Sequence, residues 1–321
     1  MSFTYTLRLL CICLAAFFLV HLAAGLVVSF LAPVLVRVSE RIRARRGAWL
    51  LLALRLFPAG FATLVVAGVC VPSYLMLEAN ANTEHVGLLC VTAAALGAAI
   101  WAVSLARALR AIFRSSRYIA YCRRIGRSAP LGREGVCILD EAAPLIALTG
   151  IVHPHLVISK PVIDTLSDDQ LSAAVRHERA HQMSRDNLKR LLVLLAPGLL
   201  PGFRGFELLE HGWGRITEWA ADDLAVAGSS ARSLSLAAAL VRLARMGGAA
   251  RPTILATSLL SDTCDLSARV DRLLGPVTPP ASERRLPVAI PSAVSLAAGL
   301  AVMLQPATLD AAHRLLEILV R

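Results

Sequence analysis

The sequence predicts an α-helical membrane anchor carrying one α+β, mainly α, domain. Three observations lead there. Hydrophobic residues make up 56% of the chain and its mean hydropathy is positive; four apolar stretches reach bilayer length; and a capped, polar helix interrupts the apolar pattern midway along the sequence.

The expected spans are Leu9 to about Leu31, Leu56 to Leu77, Val86 to Leu105 and Leu286 to Leu304, each close to the roughly 20 residues that cross a hydrocarbon core. The first exceeds the apolar core of a signal peptide and is read as a span. The chain then divides into a three-span region (1–113), a domain outside the bilayer (114–285), a fourth span (286–304) and a short amphipathic tail (305–321) on the membrane surface.

Arginines orient these segments. Six lie between Arg37 and Arg55, after the first span, and eight between Arg107 and Arg133, after the third; Arg284 and Arg285 precede the fourth. Glu78, Asn80, Asn82, Glu84 and His85 separate the second span from the third. Basic loops stay in the cytoplasm, so the domain is expected there with both termini external. The net charge of +11 thus sits beside the membrane, and no nucleic-acid motif accompanies it. Its expected partner is anionic lipid, with no direct nucleic acid. Seven cysteines without a CxxC pair read as reduced and structural.

Within the domain, "VCIL", "PLIALTG" and "HLVIS" between Gly135 and Lys160 are short apolar runs broken by Gly, Pro and Asp, which predicts two or three strands. His153 and His155 stand beside the last of these runs and read as surface or capping groups more than as catalytic donors. Ser167-Asp168-Asp169-Gln170 is a capping box that starts a helix, and no proline interrupts that helix before Pro197. The run Leu191 to Phe203 is short and holds Pro197, Gly198, Pro201 and Gly202, so it is expected to form a buried hairpin rather than a span. A helix from Ser230 to Met246 and a short one near Leu266 to Leu274 complete the domain.

The capped helix contains His177-Glu178-Arg179-Ala180-His181. Residues i and i+4 share a helix face, so both imidazoles can reach one metal ion with Glu178 beside it. The pattern alone is unspecific, and a third donor is needed. The metzincin arrangement would place Gly at 184 and His at 187, where this chain has Ser184 and Asn187. Glu218, in Glu218-Trp219-Ala220-Ala221-Asp222, supplies a carboxylate from a second helix, with Glu207, Glu210 and His211 as nearby alternatives. Asp222, four residues on, faces the same way and can accept a hydrogen bond from a ligand histidine. Asp223 points elsewhere and is expected to be solvated.

The segments "VRHERAHQMSRDNLKRLL" and "EWAADDLAVAGSSARSLSLAAALVRLA" resemble the two halves of the peptidase domain of BlaR/MecR-type membrane zinc metallopeptidases, over about Gly150 to Ala244. The HExxH and ExxAD parts are shared with HtpX-like and CAAX-prenyl membrane peptidases, and Arg185-Asp186-Asn187 tilts the likeness to the BlaR/MecR type. The resemblance implies a gluzincin-like domain in a bacterial cytoplasmic membrane. It implies one Zn²⁺ held by His177, His181 and Glu218, Glu178 as catalytic base, and a protein substrate such as a transcriptional repressor or a membrane protein. Arg179 departs from the apolar residue usual at its position. Only residues 305 to 321 follow the expected fourth span, so the external penicillin-binding sensor of the best-known members is not expected, and drug-triggered cleavage is not implied. Two rivals stand beside this reading: an HtpX-like quality-control protease, and a non-catalytic transducer or scaffold that keeps the zinc site. A site-2-type intramembrane protease fits less well, because Arg176, Arg179, Gln182 and Arg185 make the helix polar.

Overall fold

A computed structural model describes residues 3–77, 87–131, 134–152, 154–199, 203–247, 257–258, 266–275 and 305. Among these the fold is mostly helical with one small sheet. Helix α1 spans Phe3–Arg41 and α2 Ala44–Val65; a π-helical turn, Val66–Cys70, joins α2 to α3, Val71–Leu77, and α4 spans Leu88–Ile125. Among the described residues, three helical stretches are long and apolar enough to cross a membrane: Tyr5–Arg41, Ala44–Met76 and Leu88–Ile125. The expected fourth span and nearly all of the tail lie outside the described residues, as does His153.

These helices run well past the apolar stretches. The basic segment after the first span is not an open loop, because the chain breaks only at Ile42 and Arg43 and resumes as helix at Ala44. Arginine is a good helix former, so the basic residues extend the helices beyond the apolar stretches instead of ending them. Small residues bring the helices together: a Cβ on Gly97 of α4 would meet the Leu14 carbonyl of α1.

Helix α4 delivers the chain to a five-stranded sheet of β1 (Arg127–Leu131), β2 (Glu134–Leu139), β3 (Ile146–Thr149), β4 (His155–Ser159) and β5 (Thr257–Ser258). Its order is β1-β2-β4-β3-β5, with β2 and β4 parallel and the other pairs antiparallel. The three apolar runs of the sequence are β2, β3 and β4. Strand β1, "RSAPL", lacks an apolar alternation and is paired through its hairpin with β2. The outer edge of β3 is not bare, since Ala147 and Leu148 pair with Ser258 and Thr257.

One sheet face packs on the end of α4, where Leu139, Leu145, Ala147 and Val157 meet Cys122 and Tyr118. The other, through Val136, Ile146 and Ile158, covers α5 (Lys160–Thr165), α6 (Asp168–Ser184) and α9 (Ser230–Arg245). The capping box at the start of α6 is formed: Ser167 Oγ accepts from the Gln170 N–H at 3.4 Å and the Ser167 N–H donates to Gln170 Oε1 at 3.2 Å. That helix does not continue towards Pro197. It ends at Arg185, which adopts the left-handed conformation with φ 54°, and α7 (Asp186–Leu195) starts there.

Helices α7 and α8 (Gly205–Val226) are laid against the long apolar helices, α7 on α4 and α2, and α8 on α1 and α2. His21 Nε2 of α1 lies 3.2 Å from the Gly198 carbonyl. Gly205 sits against Ser29, and Gly212 against Val36 and Leu51. Gly198 and Gly205 thus both lie beside residues 21–29 of α1, inside the first expected span; the expected turn between them falls on residues 200–202, outside the described residues. Arg55, 2% exposed, donates to the Val193, Ala196 and Pro197 carbonyls at the end of α7 and to Glu210 Oε1 at 2.7 Å, while its guanidinium stacks 4.5 Å from the Phe206 ring centre. Carbonyls that end α7 are thereby satisfied within the protein. Reporter fusions after Asp164 and after Gly205 are expected to give the same cytoplasmic signal; opposite signals from stable fusions would rule out the hairpin.

Candidate metal centre

The site lies where α6 packs on α8, closed on one side by α10 (Leu266–Leu274). Each element has a reason to be there. Ala173, Ala174 and Val175 bury one side of α6 in the core it shares with the sheet and α9. Phe206, Leu209, Trp213 and Ile216 seat α8 on α1 and α2, which sets the position of Glu218 just beyond them.

His177, His181 and Glu218 are all buried, and one donor atom from each lies within 4.8 Å of the others. His177 Nε2 is 3.1 Å from His181 Nε2 and 3.3 Å from Glu218 Oε2, and His181 Nε2 is 3.7 Å from Glu218 Oε1. Donors about 2.0–2.1 Å from one tetrahedral ion stand about 3.3–3.4 Å apart, so the three spacings bracket that value.

The far nitrogens show why the near ones are available. His181 Nδ1 donates to Asp186 Oδ2 at 2.8 Å, and His177 Nδ1 lies 2.9 Å from Asp222 Oδ1. An ionised carboxylate only accepts, so each ring in its neutral form carries its proton on Nδ1 and leaves a lone pair on Nε2. Two such lone pairs and a carboxylate then face one point. Such a group could hold a metal ion.

Charge leads to the same conclusion. Glu178, Glu218, Asp222 and Asp186 are buried carboxylates. Arg269 of α10 donates to Asp222 through Nε at 2.9 Å and Nη2 at 2.7 Å, and its Nη1 lies 3.1 Å from Glu218 Oε2. Lys189 Nζ donates to Asp186 Oδ1 at 2.8 Å. With all four carboxylates ionised, these two cations leave a deficit of two charges, which one divalent ion fills. Without it the cage holds protons. Burial lowers the proton affinity of His181, but Glu218 and Asp186 outweigh it and push its pKa up to about 10. Burial lifts Glu178 to about 7 against the pull of the two histidines. Burial also opposes ionisation of Asp222 and Glu218, yet Arg269 and the histidines win, holding Asp222 down to about 2 and Glu218 well below the usual carboxylate range.

Of this cluster, Glu178 reaches a cavity of about 240 Å³, which it lines with Arg179 and Gln182 of α6 and with Val136, Leu148, His155 and Leu156 of the sheet. Space for a ligand therefore lies between α6 and the strands. His155 borders it, with its Nε2 3.3 Å from Arg123 Nη2. Asp223 is exposed as expected but not merely solvated, since Arg272 pairs with both its oxygens at 2.7 and 2.8 Å. Glu210, an alternative donor, is occupied by Arg55.

Three residues of the site are given no role by the sequence: Asp186 and Asn187, which enter only as part of a motif, and Arg269. Asn187 Nδ2 donates to the Leu148 and Gly150 carbonyls at 3.2 and 2.7 Å, tying the start of α7 to the end of β3. Asp186 reaches His181 only because the helix breaks at Arg185. Replacing Asp186 by Asn removes the anionic partner of His181, so metal affinity is expected to fall roughly 10–100-fold, as read by competition with a chromogenic chelator. An unchanged affinity would deny Asp186 this role. The chain matches no protein-family model and no curated protein.

Proposed function

We propose that this chain is an integral-membrane zinc metalloendopeptidase of the gluzincin type, acting on a cytoplasmic or membrane-associated protein, as its resemblance to the BlaR/MecR-type enzymes implies. The observation that carries the proposal is the convergence of two Nε2 lone pairs and the Glu218 carboxylate on one point, with Glu178 beside it and open to a cavity. Two histidines and a glutamate that leave a position for water are the donor set of a catalytic zinc rather than a closed structural one. Zinc bound there supplies a Lewis acid that polarises a carbonyl and lowers the pKa of water towards about 7.

The protein's own groups do the rest. Glu178 accepts the proton of the attacking water and returns it to the leaving amine. Asp222 and Asp186 keep both imidazoles turned towards the metal position. Arg269 holds Asp222 and Glu218 ionised, and the cavity between α6 and the strands gives room for a ligand beside Glu178. The arginines flanking the spans support a cytoplasmic location for the domain.

The full chain, purified in detergent and loaded with zinc, is expected to hydrolyse an unstructured protein such as casein or a co-expressed membrane protein. A phenanthroline chelator should stop it and added zinc restore it. A preparation with one zinc per chain that cleaves none of these proteins would contradict the proposal.

A further inference from the structure

The last turns of α4 bury Ser115 and Cys122 on one side and leave the opposite side, centred on Ala120, open. Arg117, Arg123 and Arg124 all fall within about 60° of Ala120 round the helix, and all are exposed. Among the described residues no carboxylate pairs with any of the three. Arg117 lies over the Phe113 ring, and Arg123 Nη2 lies 3.3 Å from His155 Nε2. One acid borders this face: Glu141, which accepts from the Tyr121 hydroxyl at 3.0 Å. Three cations beside one anion leave the face basic.

This face is joined to the metal cage. An open depression over Ser116, Ala120 and Arg124 shares Ile119 and Arg123 with a hollow of about 400 Å³ between α4 and the sheet. That hollow shares Val136 and His155 with the cavity beside Glu178. Strand alternation explains the join: Leu156 packs with the α6 core and Val157 with α4, while His155 opens β4, where space passes round the strand end from one sheet face to the other.

We infer that the three depressions form one path, and that an acidic stretch of the substrate protein docks on Arg117, Arg123 and Arg124 with its scissile bond beside Glu178. The inference rests on the peptidase reading for what happens at Glu178. Lipid does not fit the arginines: Arg123 stands 18 residues beyond Leu105, where the expected third span ends, about 27 Å along the helix, whereas a headgroup layer is roughly 5–8 Å deep. A nucleic acid would use the arginines and leave the hollows that lead to Glu178 unexplained.

The test uses the full zinc-loaded chain carrying Glu178→Gln, in detergent, so that peptides stay whole. Fluorescein-labelled peptides hold a central block of either glutamates or glutamines, and anisotropy reads their binding. At low salt the glutamate peptide is expected to bind roughly tenfold more tightly, about twofold for each of three arginines, and the ratio should shrink towards one in molar salt. Arg124→Glu should cut the preference to about twofold, and Arg117→Glu added to it should abolish it, with zinc content unchanged. A benzophenone placed about five residues before or after the glutamate block should, in at least one of the two peptides, crosslink to α6 between Glu178 and Gln182. Equal binding of the two peptides at low salt would overturn the inference, as would a preference that survives the double reversal or crosslinks confined to α4. So would displacement by oligothymidylate at a lower concentration than by the unlabelled glutamate peptide, since the face would then serve nucleic acid. Binding is read without turnover: a wild type that cleaves nothing would refute the peptidase reading and leave these ratios standing, and equal binding would refute the docking and leave hydrolysis standing.

Discussion

Glu178→Gln is expected to leave zinc near one ion per chain while peptide hydrolysis falls roughly 10²–10⁴-fold. The amide has the size of the carboxylate and removes none of the three donors, so the cage keeps its geometry; what disappears is the group that can take a proton from water. Glu218→Gln should behave differently. It replaces an anionic donor by a neutral one and leaves Arg269 facing it, so zinc occupancy and hydrolysis should fall together. Metal analysis and a cleavage assay on the same two purified variants separate the roles. If Glu178→Gln supported every activity of the wild type at equal abundance, the catalytic reading would fail and a zinc-bearing scaffold would replace it. If Glu218→Gln kept full zinc and full hydrolysis, the third ligand would have to be another residue of α8.

Much of this arrangement is written locally in the sequence. The capping box, the four-residue spacing of His177 and His181, and the same spacing of Glu218 and Asp222 each act within one helix, where periodicity alone decides which residues share a face. Strands β2 to β4 and the three long helices likewise follow from short apolar patterns. The parts that escape are those that depend on a break or on distance. Nothing at Arg185 signals an end to α6: there is no glycine or proline, and positive φ is uncommon for arginine. In a continuous helix residue 186 would stand about 140° round from residue 181, too far to serve it. The left-handed turn is what brings Asp186 back to within 2.8 Å of the His181 ring. The start of α2 is hidden for a similar reason, because the arginines between Arg37 and Arg55 read as a basic loop although all but the stretch around Arg43 are helical.

Arg269 is the extreme case of a partner set by distance, and its removal carries the second large effect. It lies 47 residues beyond Asp222, on a helix that α9 holds in place, with Ser233 Oγ donating to the Leu273 carbonyl. The residue is 4% exposed, forks onto both Asp222 oxygens and also approaches Glu218. Replacing it by Met, similar in length and apolar, leaves two buried carboxylates without their permanent counter-charge. Breaking a buried pair in this way costs about 3–5 kcal/mol. At roughly 2–4 °C per kcal/mol for a domain of this size, the melting temperature should drop by roughly 6–20 °C. The loss should be larger in the metal-free protein, because bound zinc supplies positive charge to the same carboxylates and stabilises only the folded state. Arg269→Lys keeps the charge without the fork and should fall between wild type and Met. Thermal denaturation of the full chain in detergent, with and without zinc, reads all three proteins. Equal melting temperatures for wild type and Arg269→Met in the metal-free state would show that Arg269 does not hold the cage together, and the charge deficit of the site would have to be counted again without it.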